Sequence, residues 1–78
     1  MKYRIEMQPL AGRHVVALKD PDTGDLLKTL VVNASAAEML RLYLEGFDVS
    51  AIADTLSRKY GVPADRIHAD VEAFLGQF

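Results

Sequence analysis

Through residue 32 the apolar and polar positions alternate with a period close to two. Tyr3, Ile5 and Met7 are interleaved with Lys2, Arg4, Glu6 and Gln8, the pattern of a strand with one face in a core. Pro9 and Gly12 then punctuate the chain, and residues 14–18 (HVVAL) read as a second strand rich in β-branched side chains. The run Asp20, Pro21, Asp22, Thr23, Gly24, Asp25 predicts a turn with a mechanism. Pro21 presets φ, Asp20 and Asp22 can accept from nearby amides, and Gly24 supplies a left-handed position. Residues 26–32 (LLKTLVV) follow as a third strand, which makes a hairpin with the second. Leu26, Lys28, Leu30 and Val32 would share one side of it, and Leu27, Thr29 and Val31 the other. So apolar a run hides which side is buried.

After Asn33 the period becomes helical. Ser35, Ala36, Ala37 and Glu38 fit a capping box, in which the serine oxygen and the glutamate serve exposed amides reciprocally. Asn33 is a competing cap. Ala36, Met39, Leu40, Tyr43 and Leu44 then form one stripe, stopped by Gly46. Asp48 or Ser50 can cap a second helix carrying Ile52, Ala53, Leu56 and Tyr60, stopped by Gly61. Pro63 suits a first helical position, and Asp65 complements the helix dipole. Ile67, Val71, Phe74, Leu75 and Phe78 make the third stripe, whose default reading is core. The order is β-β-β-α-α-α, a small α+β domain with a three-stranded antiparallel sheet followed by three helices.

Length and composition narrow the function classes. Seventy-eight residues predict a single domain, 1–78. Half the residues are apolar and 26% are charged, a globular composition. No cysteine is present, which removes disulfides, thiolate-bound zinc, iron–sulfur clusters and cysteine nucleophiles. The first ten residues hold no apolar signal core, and no apolar run nears the roughly 18–20 residues that span a bilayer. The expectation is a cytoplasmic protein without membrane contact.

Candidate chemistry is sparse. His14 and His68 show no metal-ligand spacing. In the Asp20–Asp25 turn, Gly24 falls at position 5 and Val31 at position 12 of a would-be EF-hand, which needs Gly at 6 and Glu at 12. Ser35, Ser50 and Ser57 have no histidine base assigned to them, and the five glycines are scattered punctuation rather than a phosphate loop. These features predict no catalytic residue, no metal, no cofactor and no enzyme activity. Residues 1–32 carry five basic and four acidic groups; residues 33–78 carry four basic and seven acidic ones. A helical half of net −3 is a poor match for phosphates, which argues against nucleic acid.

The segment Leu30, Val31, Val32, Asn33, Ala34, Ser35, Ala36, Ala37, Glu38, Met39, Leu40 resembles the strand-to-helix signature of the PqqD family. Gly46, Val49, Ile52, Leu56, Tyr60 and Val62 are similar to that family's second helix. Asp70-Val71 followed by Phe74-Leu75 resembles its third-helix pattern, and the likeness covers about residues 12–78. It implies a winged-helix-like fold and the role of a RiPP recognition element. Such a chaperone binds the leader of a ribosomally made precursor peptide and presents it to a modifying enzyme, a radical-SAM enzyme, in natural product biosynthesis such as that of pyrroloquinoline quinone. The leader would dock as an added strand on the third strand, beside the third helix.

Under that resemblance the peptide-binding residues are Leu27, Lys28, Thr29 and Val31 on the strand, with Arg66, Ala69, Asp70 and Ala73 on the helix. Lys28 and Arg66 would meet acidic leader residues, and the two alanines would leave room for apolar anchors. An apolar edge strand is itself an aggregation hazard unless it has a partner. Two other classes stay open: a winged-helix DNA-binding regulator, and an oligomerisation module pairing through the same edge. A monomer or weak homodimer is expected.

Overall fold

A computed structural model describes residues 2–78; Met1, included in the expected domain, lies outside the described residues. Three strands, β1 (Arg4–Leu10), β2 (Arg13–Lys19) and β3 (Leu26–Val32), precede three helices, α1 (Ala34–Leu44), α2 (Val49–Tyr60) and α3 (Ala64–Leu75). This is the expected α+β arrangement. Its contacts divide into two compact units, one ending at Ala37 and also taking in Phe78, the other running from Glu38 to Gln77.

The first unit is built on an antiparallel sheet in the order β1-β2-β3, so β2 is central and the outer strands are edges. Ala11 and Gly12, at φ 50° and 79°, make the two-residue turn between β1 and β2. Two successive positive φ values define the hairpin turn whose twist matches that of the strands. The β2–β3 turn forms as its residues dictate. The Asp20 carboxylate accepts from the Asp22 and Thr23 amides at 2.8 and 3.1 Å, and the Gly24 amide donates to the Asp20 carbonyl at 2.8 Å. Those amide hydrogen bonds hold the Asp20 carboxyl below its ordinary pKa.

Pairing resolves the ambiguity of β3. Val16 lies opposite Leu30, and Val15 opposite Val31. Val16 and Leu18 are fully buried, so Leu30 and Val32 share the covered face, while Thr29 and Val31 face solvent. The expected alternation fails at one point. Leu18 opposes Lys28 but Lys19 opposes Leu26, so Leu27 is an extra residue in a β-bulge. Leu26 is thereby moved to the solvent face, and it and Leu27 are 59% and 55% exposed.

The second unit is helical. Leu42, Ile52, Ala53, Leu56, Ile67 and Val71 form its buried cluster, edged by Met39, Val49, Val62 and Leu75. Each fully buried leucine, isoleucine or valine of this cluster contributes roughly 1.5–3 kcal/mol. The α1 stripe differs from expectation: Leu42 joins the cluster, whereas Tyr43 and Leu44, near the helix end, are exposed. Tyr60 is likewise half exposed. Beyond α1 the Gly46 amide reaches the Tyr43 carbonyl and the Phe47 amide reaches that of Leu42, with Gly46 at φ 101°. Those two hydrogen bonds, made possible by glycine at a positive φ, end the helix.

The caps correct the sequence reading. Asn33 caps α1: its Oδ1 accepts from the Ala36 amide at 2.9 Å, and Ser35 Oγ donates to the same oxygen at 3.0 Å. The serine therefore supports the cap instead of being it, because the helix begins at Ala34. Glu38 is released from a capping box and instead accepts from Lys59 Nζ at 2.8 and 3.0 Å and from Tyr60 OH at 2.9 Å. The Lys59 ammonium is the main cause of a Glu38 carboxyl held below its ordinary pKa. Asp48 caps α2 through the Ala51 amide at 2.8 Å. Pro63 sits one position before α3, at the cap, with Asp65 in the first turn.

Candidate functional site

Backbone direction in the sheet follows from the first turn. Leu10 and Arg13 flank a two-residue turn and pair directly, and in such a hairpin the flanking pair exchanges both hydrogen bonds. Bonded pairs then recur at every second position: Gln8 with Val15, Glu6 with Ala17, Arg4 with Lys19. The intervening β2 residues, His14, Val16 and Leu18, turn their backbone groups toward β3, where they meet Val32, Leu30 and Lys28. Thr29 and Val31 therefore direct their N–H and C=O groups away from β2, into the open edge. Both have exposed side chains as well.

The four strand residues expected from the sequence thus differ in role. Thr29 and Val31 present the outward backbone groups, and Val31 is 62% exposed. Lys28 bonds inward to β2 and its side chain is exposed at the rim. Leu27 is the bulge residue, which periodicity could not reveal. The chemical offer of the edge is two amide donors and two carbonyl acceptors beside apolar side chains, suited to an extended peptide backbone.

Arg66, Ala69, Asp70 and Ala73 are all exposed on α3, opposite the buried pair Ile67 and Val71. Their spacing of three and four places them on one helix face. Ala69 lies between the Arg66 cation and the Asp70 carboxylate and Ala73 follows one turn on, so the face is low at two of its four positions. Elsewhere in the helical unit, a cleft of about 280 Å³ is lined by Ser50, Ala53, Asp54, Ala64, Asp65 and His68. It contains none of the expected peptide-binding residues. His68 Nδ1 lies 2.9 Å from Glu72 Oε1, one turn along α3. Among the described residues no group of three or more His, Cys, Asp or Glu side chains could hold a metal ion, and no helix is long and apolar enough to cross a membrane.

The model of one protein family, Coenzyme PQQ synthesis protein D (PqqD), matches residues 16–78. The chain belongs to the PqqD family. The match begins at Val16, inside β2, and takes in β3, the edge just described, and all three helices. A solved structure described as TbiB1 in complex with the TbiA(beta) leader peptide shares the fold at a TM-score of 0.71 and 20% identity. That likeness covers 99% of this PqqD-family chain and 86% of the other. No curated protein matches the chain.

Proposed function

We propose that this PqqD-family chain binds the leader segment of a ribosomally made precursor peptide by strand addition to β3. In this reading it then presents the bound peptide to a separate modifying enzyme, a radical-SAM enzyme, in the cytoplasm. The observation that carries the reading is the open β3 edge, where Thr29 and Val31 aim unpaired backbone groups outward beside exposed apolar side chains. Family membership supports a peptide-modification role, and the fold is shared with a protein whose structure is a leader-peptide complex.

Magnitudes show what else the site needs. Four backbone hydrogen bonds at about 0.5–1.5 kcal/mol net each give roughly 2–6 kcal/mol. Micromolar affinity requires about 8 kcal/mol, so side chains must contribute. Leu27 and Val31 offer apolar contact on the solvent face of the strand. Arg66, Ala69, Asp70 and Ala73 are proposed as the helix-borne contribution, with Lys28 and Arg66 attracting acidic leader residues. The chain acts as a carrier, not a catalyst.

The test is an NMR titration with a synthetic leader from the precursor encoded in the same gene cluster. Amide shifts concentrated on β3, with those of residues 66–73 following, are expected. Shifts confined to residues 39–60 would show that the groove lies elsewhere, and no shift at any amide would end the proposal.

A further inference from the structure

We propose that Leu27 is a register stop, so that an added peptide strand pairs only with Thr29 and Val31 and leaves the edge at Lys28. This rests on the strand-addition reading above and deepens it. In a regular strand, outward backbone groups recur at every second residue, and the one preceding Thr29 would belong to Leu27. Here Leu27 is supernumerary between Lys28, opposite Leu18, and Leu26, opposite Lys19. A bulge leaves the extra residue out of the ladder and bends and twists the chain locally, and Leu26 lies opposite Lys19, whose backbone bonds to Arg4 of β1 and not to β3. The next outward groups therefore belong to Leu26, one residue out of step.

A peptide strand keeps its own two-residue repeat and cannot match both spacings. At the other end β3 stops at Val32, and Asn33 is engaged in the α1 cap. The usable ladder is bounded on both sides. The recognised backbone is correspondingly short, and peptide sequence must be read by the few side chains that flank two bonded positions. The bulge also limits pairing of this edge with unrelated extended chains, since a longer partner gains no further bonds.

The first arm of the experiment leaves the protein unaltered. A synthetic leader from the precursor of the same gene cluster is N-methylated at one residue at a time, and each peptide is titrated calorimetrically against the full chain. Two positions, separated by one residue, are expected to weaken binding by tenfold or more. Three or more sensitive positions would overturn the register stop while leaving strand addition standing. Fewer than two, or no binding by the unmethylated leader, would overturn strand addition and the stop with it. A second arm deletes Leu27, which restores regular pairing of Leu26 with Lys19. In a variant with unchanged circular dichroism, amide exchange protection by the leader should extend from Thr29 and Val31 to Leu26. Protection of Leu26 already in the unaltered chain would overturn the stop.

Discussion

Both outer strands of the sheet carry a row of backbone groups that β2 does not satisfy, yet the two rows differ in proline and in charge. On β1 the outward positions are Ile5, Met7 and Pro9, and Pro9 has no N–H to donate. Its neighbours on the solvent face include Glu6, whose carboxylate lies 2.6 Å from Lys19 Nζ. On β3 the outward positions are Thr29 and Val31, with no proline and one charged residue, Lys28. Proline and charge are the usual devices that keep an edge from recruiting another strand. Pro9 removes one donor from β1, where Ile5 and Met7 keep theirs, whereas β3 has no proline and keeps both outward amides beside the single charge of Lys28. That contrast supports the proposal that a peptide strand adds to β3 and not to β1.

The largest expected effect comes from making β3 resemble β1. Thr29→Pro removes an outward donor without touching a bond to β2, and leader affinity should fall at least tenfold, about 1.4 kcal/mol. Leu30→Pro is its control, because Leu30 bonds inward to β2; thermal unfolding should move down sharply. Equal leader binding by Thr29→Pro and the unaltered chain would erase the distinction between the edges. Ala73→Arg raises the low α3 face and should weaken the leader by about tenfold with the unfolding temperature unchanged. If it binds normally, β3 works without that helix face.

Smaller effects sharpen the contrast. Asn33→Ala should cost roughly 0.5–2 kcal/mol in chemical denaturation, and Ser35→Ala less, since the asparagine holds the amide. Neither should alter leader affinity, as the outward groups end at Val31. The smallest effect concerns pH. Hydrogen bonding and attraction from Lys19 hold the Glu6 carboxyl below its ordinary value of 4.5. A depressed carboxylate contributes stability that is whole above that value and is lost as pH falls through the folded-state pKa. Side-chain NMR should therefore place the Glu6 midpoint low, and Lys19→Gln should return it toward normal. Leader binding through β3 should not follow that titration, because β3 carries no acidic group.

Much of this was legible in residue order. Residues 26–32 were bounded correctly by Asp25 and Asn33, because turn and cap chemistry acts within a few positions. Gly46 and Asp48 marked the α1–α2 junction for the same reason. Thr29 and Val31 fall within the strand run that the resemblance offers as site residues, though nothing in their spacing separates them from Lys28 as bearers of outward groups. The Ser35 box misleads because Asn33 and Ser35 both satisfy the local rule, and only the first turn of α1, which begins at Ala34, decides between them.

Local patterning alone settled the element order, the hairpin and the buried positions Ile52, Ala53 and Leu56 of α2 and Ile67 and Val71 of α3, since each depends on a side-chain period or on a turn within about six residues. It did not settle Tyr60 or Phe78. Pairing across the sheet settled which face of β3 is buried, which of its amides stand free and where its ladder breaks. Packing between α1 and α2 made Glu38 the partner of Lys59 and Tyr60 instead of a cap. Those features depend on partners brought close only by folding. A run as uniformly apolar as LLKTLVV carries no internal mark of register, so the extra residue at Leu27 exists only relative to the β2 strand it fails to match.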